Sequence, residues 1–143
     1  MISVLEFVAM FCTGLFAGAA LYISVVEHPA RMACGTALAV AEFGPSYRRA
    51  TVMQVSLAIA GFVAAIASWL LTSKVAWLNG GVLIVLVIPF TLLVILPTNK
   101  KLLDPSLNRS SEAARQFLVR WGRLHAMRTV LSLAAFVMLV RAA

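Results

Sequence analysis

FVAMFCTGLFAGAALYISVV, residues 7–26, runs without a single charged side chain. A bilayer core of about 30 Å is crossed by about 20 apolar residues in a helix, so this stretch has the length and character of a membrane span. It runs into Glu27-His28-Pro29, and the residue before a proline is pushed away from helical dihedrals. The reading therefore predicts a first helix over residues 5–27.

Three further spans follow by the same reasoning. A second apolar run covers residues 52–71, preceded by Gly44-Pro45-Ser46. Proline suits the first turn of a helix, which predicts a helix over 46–72. Lys74 marks a short turn, and Asn79-Gly80-Gly81 loosens the start of a third helix over 77–96. Pro89 is expected to kink that helix, and Pro97-Thr98-Asn99 to end it. Ser110 or Ser111 can cap a last helix over 111–141. Its second half is apolar, while its first half is amphipathic and expected to project from, or lie against, the membrane surface.

Composition agrees with this pattern. Of 143 residues, 62% are hydrophobic and 12% charged, where a soluble domain carries about 25% charged. A water-soluble fold of this size could not hide so much apolar surface. The expected fold is all-α, a single domain over 1–143: an integral membrane four-helix bundle with an extended, amphipathic start to its last helix. The N-terminal Met1-Ile2-Ser3-Val4-Leu5-Glu6 lacks a basic region, so the first helix is expected to remain in the mature protein.

Four spans put both termini on one side. Ten of the twelve Lys and Arg residues then share the other side, leaving Lys74 and Arg141 with the termini. Positive loops stay in the cytoplasm, which predicts external termini and cytoplasmic large loops. Most of these charges read as topology signals and headgroup contacts; nothing in the pattern points to nucleic acid. The partner expected from this pattern is the lipid bilayer. Cys12 and Cys34 suit neither a disulfide framework nor a zinc site. Gly14 and Gly18 on the first helix, and Gly61 and Ala65 on the second, form small-residue faces that allow close helix approach. That contact is read as packing within the bundle, with a homo-oligomer through the Gly14/Gly18 face as its alternative.

The two histidines are separated widely in sequence, yet topology brings His28 and His125 to one membrane depth. Glu27, Tyr47 and Asn99 join them there. Trp121, His125 and Arg128 are spaced four and three apart, so they share one helix face. Polar groups near hydrocarbon are costly unless paired or useful. Each residue also has a plain structural reading: an interfacial anchor, a snorkelling arginine, a turn asparagine. Their joint occurrence marks a candidate site.

Five strings carry a resemblance: VEHPAR at 26–31, PSYRRAT at 45–51, IPFT at 88–91, LPTNKKLL at 96–103 and RWGRLHAMR at 120–128. They resemble the anthrone oxygenase-like family of small four-helix membrane proteins, and the Pro-Thr-Asn and Trp-Gly-Arg-Leu-His-x-x-Arg motifs are the most specific. The resemblance implies a small hydrophobic or aromatic substrate as a partner, and its oxygenation as a phenolic or polycyclic, anthrone-like compound without a protein-bound cofactor. Under it His125 is the base, with His28 second or as its partner, and Arg128 and Asn99 stabilise the enolate oxygen. Trp121 stacks on the ring, Tyr47 lines the substrate site, and Glu27 orients a histidine. Two alternatives remain. One is a redox module in which His28 and His125 bind haem or a transition metal. The other is a non-enzymatic accessory or lipid-binding membrane protein.

Overall fold

The computed structural model describes residues 3–143 and contains four long helices: α1 Val4–Ala33, α2 Thr36–Thr72, α3 Val75–Leu102 and α4 Glu112–Ala142. Each is long and apolar enough to cross a membrane. The part of the N-terminal reading that rests on Met1 and Ile2 lies outside the described residues. Each helix packs on its neighbour in sequence, and α4 closes the ring against α1. At one end lie the termini and the Ser73-Lys74 turn, where Lys74 Nζ donates to the Ala142 carbonyl at 3.0 Å. At the other, the loop end, lie the Cys34-Gly35 turn and residues 103–111.

Local chemistry explains the helix starts. Ser3 Oγ accepts from the Glu6 N–H while Glu6 Oε2 accepts from the Ser3 N–H, a reciprocal cap. Ser111, rather than Ser110, caps α4 by accepting from the Ala114 N–H. Gly35 has φ +95°, a conformation that lets α1 turn into α2 within two residues. In the α3–α4 loop, the Ser106 hydroxyl and N–H both donate to Asp104, which holds its carboxyl below the usual carboxylate range.

Three helix boundaries differ from the sequence reading, all at prolines or glycines. Helix α1 does not stop at Pro29 but continues to Ala33, and α3 does not stop at Pro97 but continues to Leu102. In each a single wide π-turn precedes the proline: Ile23–Glu27 before Pro29, and Thr91–Ile95 before Pro97. A proline ring clashes with the carbonyl four residues back, here Val25 or Leu93, and both lie inside the wide turn that makes room. Other helix-side adjustments of this kind are common in membrane helices. Helix α2 begins at Thr36 and runs through Pro45, so the link expected between the helices over 5–27 and 46–72 is mostly helix. Ala41, whose carbonyl loses its partner to Pro45, lies on an exposed face. Finally, Asn79-Gly80-Gly81 lies inside α3. A Cβ at Gly80 would collide with Leu139, and one at Gly81 would come within 3.0 Å of Ala65, so these glycines set close helix contacts.

The core forms three clusters along the bundle axis. Trp77, Ala65 and Leu139 fill the terminal end, and Phe16, Ala58, Val87 and Ala135 the middle. Phe43, Leu102, Leu118 and Trp121 close the loop end. The amphipathic start of α4 thus shares a buried cluster with the start of α2 instead of lying alone on the membrane. Outside, Phe7, Phe11, Leu70, Leu71, Leu93 and Val130 are exposed, an apolar belt suited to lipid. Gly14 faces Phe136 and Gly61 faces Thr13 within the bundle, while a Cβ at Gly18 would meet nothing within 4 Å.

Candidate functional site

Helix α4 supplies the centre. Trp121, His125 and Thr129, four residues apart, are buried on one face, with Arg128 beside them. His125 Nε2 lies 2.8 Å from Arg128 Nη2, and His125 Nδ1 lies 3.0 Å from Ser24 Oγ of α1. A guanidinium can only donate, so Nε2 accepts and Nδ1 carries the proton toward Ser24. The imidazole is therefore neutral, with one tautomer fixed. Ser24 Oγ also meets Thr129 Oγ1 at 2.8 Å, and Arg128 Nη2 donates to Gln54 Oε1 of α2 at 2.7 Å. Three helices thus hold one histidine through a single polar chain.

Aromatic rings wrap this chain. The Trp121 indole stacks on His125 with centroids 4.7 Å apart, and the His28 ring lies 5.1 Å from the same indole at a tilt of 55°. Phe43 meets Trp121 edge-on at 5.3 Å and stacks on Tyr47 at 5.8 Å. The Arg128 guanidinium lies over Phe16 at 5.6 Å, and that of Arg31 over Trp121 at 5.7 Å. Such cation–π placement helps hold a charge out of water. Gly122 makes the His28 contact possible, since a Cβ there would stand 2.5 Å from His28 Nε2.

A second polar group borders the first. Buried Arg31 pairs with Glu27 and, at 3.0 Å, with Glu42, while Ser46 Oγ donates to Glu27 at 3.0 Å. The partners of Glu27 are therefore Arg31 and Ser46, with no histidine among them. The Arg31–Glu42 pair and the Ser46–Glu27 bond pin α1 to the start of α2.

Between the middle and loop-end clusters lies a cavity whose wall includes Glu27, Tyr47, Gln54, Asn99, Trp121, His125 and Arg128. Six of the seven residues singled out in the sequence reach that wall. His28 does not; it sits half-buried behind Trp121. Three buried polar atoms of the wall lack any partner: Gln54 Nε2, Arg128 Nε and Asn99 Oδ1. Buried polar groups are nearly always satisfied, and an unmet one costs about 1–3 kcal/mol. Two donors and an acceptor on residues of one cavity wall are thus held without a protein partner.

A shared metal or haem fits these residues poorly. Among the described residues, no three His, Cys, Asp or Glu side chains come together as a metal would need. Both nitrogens of His125 face protein partners, and the guanidinium on Nε2 would repel a cation.

The family model described as anthrone oxygenase matches residues 43–138. The chain belongs to the anthrone oxygenase family. The family match includes Tyr47, Gln54, Asn99, Trp121, His125 and Arg128, while Ser24, Glu27, His28 and Arg31 of α1 precede it. No curated protein and no solved structure matches the chain. Within this site, sequence reasoning missed Gln54, Ser24 and Thr129, and it read Arg31 only among the topology charges. A usable signal existed for Gln54, a lone amide inside an apolar run, because polar groups at membrane depth are costly unless paired.

Proposed function

We propose that the protein is a membrane-embedded oxygenase that converts an acidic ring methylene of a phenolic, anthrone-like substrate to a carbonyl, using O₂ and no protein-bound cofactor. The observation that carries this reading is the neutral His125 imidazole set against the guanidinium of Arg128 on the wall of a cavity with unmet donors. Family membership supports the oxygenase class.

At rest, Arg128 covers the lone pair of Nε2. A substrate carbonyl entering the cavity draws the guanidinium toward itself and uncovers that lone pair. Nε2 then takes a proton from the methylene beside the ring system, and the resulting enolate oxygen stays on Arg128, with the Gln54 amide as a further donor. Charge pairing makes the steps interdependent, because an imidazolium beside a guanidinium is favourable only once the enolate lies between them. The enolate carbon passes an electron to O₂, and the two radicals join to form a C–O bond. The peroxide anion recovers the proton from Nε2 to give a hydroperoxide. Loss of the second methylene proton with cleavage of the O–O bond expels hydroxide, which leaves as water. The balance is CH₂ + O₂ → C=O + H₂O. Trp121 offers a flat face for the substrate ring, and Asn99 an amide for a second oxygen. His28 lies outside the cavity wall, so its role is to support Trp121. The test is oxygen consumption by the purified protein with an anthrone; one O₂ per quinone is expected, and no uptake with any phenol would contradict the proposal.

The site end of the bundle faces the cytoplasm in this proposal, supported by the ten basic residues gathered there. A cysteine in place of Ser110, in a background without Cys12 and Cys34, should resist an impermeant thiol reagent in intact cells. Ready labelling there, with protected termini, would reverse the orientation.

A further inference from the structure

We propose that the substrate enters this cavity sideways from the bilayer, through a gap between α2 and α3 lined by Thr51, Val55, Ile88 and Leu92. The proposal rests on the reading of the cavity as the substrate site, and it defines the substrate class further. The molecule taken is a bilayer-dissolved ring compound whose oxygens lie on its leading edge and whose trailing edge is uncharged.

Helices α2 and α3 pack closely along Val75–Phe90 but scarcely touch beside the π-turn Thr91–Ile95, which leans on α4 instead. The wide turn that accommodates Pro97 thereby opens one side of the bundle at the depth of His125. Residues at this opening line the cavity and also face outward: Val55 is 38% exposed and Leu92 56%. Thr51 is exposed as well. None of the four carries a charge. Deeper in the same cavity are Gln54 and Asn99, 3% and 1% exposed, together with Arg128. Polarity thus rises from the mouth inward, the order in which a carbonyl-first amphiphile would meet it.

Entry from the loop end is blocked. Phe43, Leu102, Leu118 and Trp121 close that side as a packed cluster, with Tyr47 and Leu107 against it. On the α1 side the wall carries the Glu27–Arg31 pair and its bond from Ser46, which an apolar ring would have to break. The lateral gap, by contrast, is lined by uncharged side chains that are partly exposed.

A small aryl diazirine dissolved in the bilayer and photolysed reports this route without any turnover. Ala58 and Val87, 0% and 2% exposed, lie on the cavity wall. Carbene insertion mapped by mass spectrometry is expected at both, at a level comparable to lipid-facing Val63, while Ala65, buried in the terminal cluster, stays at background. Replacing Val55→Trp and Leu92→Trp together should bring insertion at Ala58 and Val87 down to the Ala65 background and leave Val63 unchanged. Should the double variant fail to fold, Val55→Trp alone should lower the insertion. Background insertion at Ala58 and Val87 in the wild-type protein would overturn the proposal. So would undiminished insertion in a folded, blocked variant. The expected pattern in a protein that oxidises no phenol would keep the portal and remove the catalytic reading.

Discussion

Replacing His125 with alanine is expected to lower kcat for anthrone oxidation by about 10²–10⁴-fold, the usual contribution of a positioned proton acceptor. The bundle should survive the change. Ser24 keeps its hydrogen bond to Thr129, Thr129 keeps the Ala20 and residue-125 carbonyls, and Arg128 keeps Gln54. What is lost is one buried side chain and its two partners, a cost of about 1–3 kcal/mol for each group left unmet. Circular dichroism in detergent should show unchanged helicity, while oxygen uptake falls. Uptake equal to that of the wild type would remove His125 as the base. The effect belongs in kcat because the imidazole touches the reacting proton, while ring binding rests largely on Trp121 and the apolar wall.

Arg128→Met should cost about 10²–10³-fold in kcat, the range found when one donor to a developing oxyanion is removed. Methionine keeps the apolar length over Phe16, so packing changes less than charge. The change uncovers Nε2 of His125 and strips Gln54 Oε1 of its donor. If uncovering the base were all that mattered, the variant would be faster than the wild type. The account predicts the opposite, because the enolate formed by proton transfer would lack a positive partner in a site with little water. A rise in KM with kcat unchanged would assign Arg128 to substrate binding alone.

Both predictions concern residues that the sequence made visible, and the reason is physical. Trp121, His125 and Arg128 lie on one uninterrupted stretch of α helix, where spacing of three and four residues defines a face. His28 was harder to place. The π-turn Ile23–Glu27 adds one residue to a turn, and each residue advances a helix by about 100°, so the face presented beyond it cannot be extrapolated from the residues before it. His28 consequently packs behind Trp121, and Glu27 turns to Arg31 and Ser46. The same turns misled the boundary reading, since proline rules for soluble helices place ends at Pro29 and Pro97 where the membrane bundle widens the helix instead. Ser24 carries no local pattern, and the signals at Gln54 and Thr129 name no partner. Their meaning comes from partners 74, 101 and 105 residues distant, which only the folded bundle brings together. The four spans, by contrast, were legible from length and apolarity alone, because no soluble arrangement could bury that much surface.

The central claim is that protein side chains alone, with His125 as the base, hand an activated ring carbon to O₂. Its most direct measurement is turnover of an anthrone under ¹⁸O₂ by protein shown by elemental analysis and absorption spectroscopy to be free of transition metal and haem. The account predicts sustained turnover, with one labelled oxygen in the new carbonyl and the other in water. Turnover that begins only when a metal or haem is added, or a new carbonyl whose oxygen comes from water, would contradict it.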